Sequence, residues 1–216
     1  MQTEQFLVYL LDCKEFERQN NTYNQTIILC NPILMEASFD SEKLRFPIGK
    51  FNVPELISES DCQQWISEIE SFSNQIYDLT HSLSIEQLNW NYRPNGWTIK
   101  QVIHHCADSH MNSFIRFKLA LTEEIPTIKP YEESKWAELI DGVDNDISAS
   151  LKIIEGVHYR WTLLLKSFTN DDFSRQFIHP ESKKIYRLDE ATGLYAWHCN
   201  HHLAHIHQAI NHKGQF

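Results

Sequence analysis

Trp197-His198-Cys199-Asn200-His201-His202-Leu203-Ala204-His205-Ile206-His207 carries five of the twelve histidines in the chain. The stretch has no glycine or proline, and Ala, Leu and Ile recur around it at helical spacing, which predicts an α-helix. Side chains four positions apart on a helix stack on one face, so His198/His202 and His201/His205 are each a pair of imidazoles able to aim at one point. The same geometry makes helical HxxxH recur in zinc sites. Two ligands hold an ion weakly, and a third must come from another segment. The obvious donor is His104-His105, inside Thr98-Ile99-Lys100-Gln101-Val102-Ile103-His104-His105-Cys106-Ala107-Asp108-Ser109-His110.

That second segment opens with a strong start signal. Thr98 with Gln101 three residues on forms a capping box, and Trp97 with Val102 a hydrophobic staple. The start fixes helical phase. Gln101, His105, Asp108, Ser109, Asn112 and Arg116 then fall within about 60° of His105 on the wheel. No Lys or Glu, the usual marks of a solvated face, interrupts this row, while Ile103, Phe114, Phe117 and Leu121 occupy the other side. A polar row on a helix with an apolar back suggests a pocket. His104 points about 100° away from His105 and is expected outside it.

Two more long helices are expected. One runs from about Ser60 to Leu79, with Trp65, Ile69, Phe72, Ile76 and Leu79 as its buried stripe. The other runs from about Ile147 to Phe168, with Leu151, Ile154, Val157, Trp161, Leu164 and Leu165. The histidine-rich helix itself opens at Leu188 or Asp189 and ends before Gly214, with Gly193 permitting close packing. Leu44 to Val53 reads as an extended lead-in lying across the fold, and Ile85 with Leu88 as a short helical turn. Trp136 with Leu139 and Ile140 suggests a short covering helix in the long connection from Glu124 to about Asn145. Phe177 to Tyr186 reads as a small hairpin. The sum is an all-α fold, a four-helix bundle with a small β-hairpin between the last two long helices.

Composition bounds the function. A chain of 216 residues with 42% apolar and 22% charged residues is an ordinary globular protein, long enough for a sizeable core. A net charge of −10 repels phosphate backbones, so nucleic acid is not an expected partner. No run is long enough to span a bilayer, and no membrane association is expected. The cysteines, Cys13, Cys30, Cys62, Cys106 and Cys199, are odd in number and form no CxxC, which points to reduced thiols and a cytoplasmic location. Cys106 and Cys199 are expected to pack in the bundle. Residues 1–43 show no core-forming pattern and read as an N-terminal extension, with residues 44–216 as the folded domain. Met35 is a candidate natural start.

Phe46-Pro47-Ile48-Gly49-Lys50-Phe51, Tyr92-Arg93-Pro94-Asn95-Gly96-Trp97-Thr98, His104-His105-Cys106-Ala107-Asp108-Ser109-His110-Met111-Asn112-Ser113, Arg116 to Glu123, Ile128-Lys129-Pro130-Tyr131, His179-Pro180-Glu181 and Tyr195-Ala196-Trp197-His198 through His205-Ile206 occur in the order seen in one family. On these stretches the chain resembles the DinB-like superfamily, and more closely its YfiT branch of metal-dependent hydrolases. The resemblance implies an up-down-down-up four-helix bundle, a homodimer, and one divalent metal per subunit, zinc first and nickel second. It places the ligands on His105, His198 and His202. It also favours a start at Met35, because residues 1–43 have no counterpart in the family. An open coordination position on three imidazoles suits activation of water for hydrolysis of a small molecule. The same position suits a low-molecular-weight thiol, since relatives in the superfamily include bacillithiol S-transferases; Asp108, Asn112 and Arg116 would then help to bind it. Tyr195 lies in helical phase with His198 and His202 and is a candidate for lining the pocket. A third reading is a non-catalytic metal-binding stress protein.

Overall fold

Side-chain caps fix where the first two long helices begin. In the computed structural model, which describes residues 42–181 and 183–216, Ser58 caps α1 (Glu59–Thr80) and Thr98 caps α2 (Ile99–Thr122). Each cap is reciprocal: the hydroxyl oxygen accepts from the third helical N–H, and Asp61 or Gln101 accepts from the cap N–H. The other long helices are α3 (Ser148–Leu165) and α4 (Leu188–His212). Short helical turns stand at Ile85–Leu88, Glu133–Trp136 and Asn170–Ser174. Strand β1 (Gln176–His179) pairs antiparallel with β2 (Lys184–Arg187), Phe177 opposite Tyr186 and Ile178 opposite Ile185. The expected four-helix bundle with its hairpin is what forms. The expectations on residues 1–41, including Met35, Cys13 and Cys30, lie outside the described residues.

Side-chain pairings give the direction of each helix. Between α2 and α3 they climb together: His104 with Ser150, His110 with His158, Phe117 with Trp161. Between α2 and α4 they run oppositely, His105 meeting His202 and His110 meeting Tyr195. Between α1 and α4 they climb together again, Trp65 against Gly193 and Glu68 with Asn200. The order is therefore up-down-down-up. Since α1 packs chiefly on α3 and α4, and α2 on the same two, α1 and α2 lie diagonally across the bundle.

The buried stripes follow the sequence periodicity, with two corrections. In α3 the fully buried positions are Ile154, His158, Trp161 and Leu165, whereas Leu151, Val157 and Leu164 are only partly buried. The stripe is rotated by one position and brings an imidazole into the core. In the connection, the short helix covers Glu133–Trp136, and Leu139 and Ile140 are exposed rather than packed. Trp136 meets Tyr131 instead, at a ring separation of 4.5 Å. The connection is sewn to α2 by Gln101 Nε2 donating to Ala137 O and Lys100 Nζ donating to Asn145 Oδ1.

The lead-in crosses α4 as expected, although residues 42–45, at its start, are helical rather than extended. Gln208 Nε2 donates to Leu44 O at 2.9 Å and Trp197 Nε1 to Gly49 O at 3.1 Å. Beneath it α1 and α4 approach closely at Gly193, where an added Cβ would stand 2.9 Å from the Trp65 ring and 3.0 Å from Phe51. Ring atoms backed by other packed groups yield little. Gly193→Ala is therefore expected to destabilise by about 1–2 kcal/mol through overpacking, although alanine favours a helix by about 1 kcal/mol. Gly156→Ala, at an exposed α3 position with nothing within 4 Å, is expected to stabilise by about 0.5–1 kcal/mol. Urea midpoints of the two variants should move in opposite directions.

Candidate metal centre

α2 supplies His105 and α4 supplies His198 and His202, one turn apart. All three imidazoles are buried, at 3%, 0% and 1% exposure. His198 Nε2 stands 3.0 Å from His202 Nε2 and 3.4 Å from His105 Nε2, and the three ring nitrogens form a group able to hold a metal ion. Of the two helical pairs in the sequence, His198/His202 is the one that meets His105.

Two relays of hydrogen bonds determine which nitrogens carry protons. His158 Nδ1 lies 2.6 Å from Ile69 O. A carbonyl oxygen only accepts, so Nδ1 is the donor and the Nε2 of neutral His158 must accept. It accepts from His110 Nδ1 at 2.7 Å, which leaves His110 Nε2 to accept from His198 Nδ1 at 2.8 Å. His198 therefore turns a bare Nε2 lone pair toward the centre. The second relay starts at Arg45 O, which accepts from His205 Nε2 at 3.0 Å. His205 Nδ1 then accepts from His202 Nδ1 at 3.4 Å, and His202 also presents a bare Nε2. Such outer partners orient metal-binding imidazoles and raise their basicity.

The consequence is physical. The 3.0 Å contact between His198 Nε2 and His202 Nε2 sets two acceptors face to face and is no hydrogen bond. A cation between them turns that repulsion into attraction. Two imidazole nitrogens about 2.0–2.1 Å from one ion stand roughly 2.9–3.4 Å apart for bond angles of about 90–110°, and the observed spacings lie in that range. A second cluster, His110, His158 and Cys199, also has ligand atoms close together. Its two imidazoles are 2.7 Å apart with a proton between them, and burial pushes the Cys199 thiol well up. That cluster serves as the relay, and Cys199 packs as a neutral thiol, as does buried Cys106.

Burial also sets the charge state. It pulls the imidazole of His105 down to about 3, with the neighbouring His201 charge adding to the effect. It lowers His158 to about 4 and His201 to about 4, and depresses His110, His198, His202 and His205 well below the ordinary value. Neutral rings are what the relays require, and a neutral site binds a cation at pH 7 without first shedding protons.

The remaining candidates divide by place. His104 faces away, with Nδ1 on Ser150 Oγ and Nε2 on Asp144 O, tying α2 to α3. His201 stacks on Trp197 at 4.4 Å, and His205 stacks on Tyr92 at 3.8 Å. Tyr195 is buried and lies 5.5 Å from the His198 ring and 5.3 Å from Trp161. On α2, Ser109 and Arg116 are buried, while Asp108 and Asn112 are half-buried. Asp108 has its carboxyl pushed up to about 6 by burial, with the Asp141 charge helping. Sequence reasoning missed His110 and His158. The available signal was the position of His158 in the row Ile154, His158, Trp161, Leu165, where a polar residue on an apolar stripe has to find buried partners.

The sequence model of the DinB superfamily matches residues 62–206. YfiT of Bacillus subtilis is 45% identical over 174 residues, covering 81% of this chain and 98% of its own. A relative from Halalkalibacterium halodurans is 48% identical over 166 residues, covering 77% and 96%. Both are named, provisionally, metal-dependent hydrolases. The solved structure of YfiT, described as a probable metal-dependent hydrolase with an unusual four-helix bundle topology, matches with a TM-score of 0.77 over 80% of this chain and 98% of that one. The mycothiol-dependent maleylpyruvate isomerase shares the fold, with a TM-score of 0.51 at 14% identity.

Two measurements check this centre. Long-range ¹H–¹⁵N spectra of the chelator-treated protein should show His198 and His202 as Nδ1–H tautomers; an Nε2–H signal for both would break the relay scheme. Stability should also depend on pH with a definite sign. Because the folded values lie below the ordinary histidine value, near 6.5, the unfolded chain takes up protons that the folded chain refuses as pH falls from about 6.5 to about 4. Stability is thus retained above about pH 6.5 and lost below it, more steeply than about 1.4 kcal/mol per pH unit, the slope for one such group. Urea midpoints of the chelator-treated protein that stay flat between pH 7.5 and 5 would contradict this.

Proposed function

The chain belongs to the DinB superfamily, and from that premise we propose that it is a metal-dependent hydrolase acting on a small molecule at an ion held by His105, His198 and His202. One observation carries this reading: two bare Nε2 atoms face each other at 3.0 Å with a third imidazole nitrogen beside them, an arrangement that a cation relieves. Zinc and nickel both suit imidazole nitrogen, and either would supply Lewis acidity toward a water, thiol or carbonyl group.

The protein's own groups have separable tasks. The relays from Ile69 O and Arg45 O hold His198 and His202 neutral and correctly turned, and burial keeps bulk water from the rings. Asp108, three residues past His105 on the same side of α2, exchanges a proton near pH 6, so it is our choice for proton transfer beside the centre. Asn112 and Tyr195 would shape the wall against which the small molecule lies.

Metal analysis tests the ligand assignment. Wild-type protein should bind one zinc or nickel ion per chain, and His105→Ala, His198→Ala and His202→Ala should each fall well below that. Full occupancy in all three would remove the assignment. A panel of esters and amides, run beside a low-molecular-weight thiol with a test electrophile, separates water from thiol as the attacking group. Metal-dependent ester or amide cleavage is the expected result. Thiol conjugation alone, with hydrolysis at background, would replace the hydrolase reading by a transferase one.

A further inference from the structure

Arg116 is a guanidinium at 7% exposure that pairs with no carboxylate among the described residues. Its Nε has no hydrogen-bond partner. A buried, unpaired charge is costly, and a site that keeps one is usually built for an opposite charge. Arg116 is not alone. The Ser113 hydroxyl and His179 Nδ1 are also buried without partners, and the Tyr131 and Ser109 hydroxyls, buried as well, have no partner beyond each other.

These five groups lie on three segments that pack together. Ser109, Ser113 and Arg116 follow i, i+4, i+7 and share one face of α2. Tyr131 comes from the connection after α2 and His179 from the end of β1. Two backbone hydrogen bonds tie those segments together, Ile128 N–H to Ile178 O at 3.0 Å and Ile178 N–H to Pro126 O at 2.9 Å. Arg175 anchors the hairpin to the end of α2 by donating to Ala120 O and Glu123 O. The Tyr131 hydroxyl faces Ser109, and the Arg116 charge acts on both Tyr131 and His179. Two carboxylates act on members of this group, Glu133 on Tyr131 and Glu181 on His179, and neither forms an ion pair with Arg116.

The same face of α2 begins at His105, four residues before Ser109. Arg116 lies about 16 Å further along the axis at roughly 1.5 Å per residue, a gap its own long side chain shortens. We propose that Arg116, Tyr131, Ser109, Ser113 and His179 form a subsite for one anionic oxygen group, a carboxylate or a phosphate, on the small molecule whose other end meets the three-histidine centre. The second half of that statement rests on the proposed function; the subsite itself needs no metal.

The full-length protein, both metal-loaded and chelator-treated, is titrated calorimetrically with inorganic phosphate and separately with acetate, against chloride at equal ionic strength. Saturable binding of at least one probe is expected in both preparations. Arg116→Met should weaken it roughly tenfold or more and Tyr131→Phe about threefold, as expected for charged and neutral hydrogen bonds. Phosphate binding alone would assign phosphoryl compounds, and acetate binding alone carboxylates. In chloride, Arg116→Met should melt at or above the wild-type temperature, since an unpaired charge has been removed, and the anion should raise only the wild-type midpoint. Three results would overturn the proposal: neither probe binds; binding disappears on chelation and ignores Arg116→Met, which places the anion on the metal; or Arg116→Met melts lower or fails to fold, which makes the guanidinium structural. Failure of the metal reading would appear separately, in the metal analysis.

Discussion

A backbone carbonyl oxygen can accept a hydrogen bond but never donate one, and two such oxygens govern the chemistry of this bundle. Ile69 O lies on α1 and Arg45 O on the lead-in, both outside the helices that carry the three converging histidines. From each oxygen a chain of neutral imidazoles passes the donor role inward, ring by ring, until only a lone pair is left to face the centre. The orientation of His198 and His202 is thus decided by backbone atoms two or three groups away. Neither relay works if any ring takes a second proton, which is why burial of all its members matters.

The bundle topology is what makes the relays possible. Because α1 and α2 lie diagonally, α3 and α4 each touch both. His158 on α3 can therefore reach α1 on one side and His110 of α2 on the other, and His110 in turn reaches α4. The lead-in lies over the outer face of α4 and supplies the acceptor for the second relay. Close contact between α1 and α4 at Gly193 keeps that face tight against Trp65 and Phe51. The four long helices and the lead-in thus each constrain one small volume, and the stability that neutral buried histidines remove in acid is the counterpart of a candidate cation site already deprotonated at neutral pH.

Along α2 two kinds of polar group occur, and their hydrogen bonding separates them. Groups with partners, such as His104 on Ser150 and Gln101 on the Ala137 carbonyl, fasten the connection and α3 to the helix. Groups without such partners, Ser109, Ser113 and Arg116, face the side where the connection and hairpin close over the helix. Polar groups buried without partners are scarce in folded proteins and cluster where something else binds. They share one face of α2 with His105.

Much of this was legible in the sequence. Thr98 and Gln101 fixed the phase of α2, and phase alone aligned His105, Ser109, Asn112 and Arg116. The spacing of His198 and His202 marked a candidate ligand pair, though His201 and His205 had equal spacing and only the family resemblance chose between them. The hairpin, the four long helices and the close packing at Gly193 followed from periodicity and turn residues. The α3 stripe was read one position off because Val157 and Leu164 are apolar and His158 is not, and hydrophobicity cannot show that an imidazole will find Ile69 O and His110 inside. Helical phase is a local property that sequence carries directly. Partners lying 48 and 89 residues apart along the chain are set by packing, and only the tertiary structure decides which carbonyl each ring meets and hence which nitrogen stays bare.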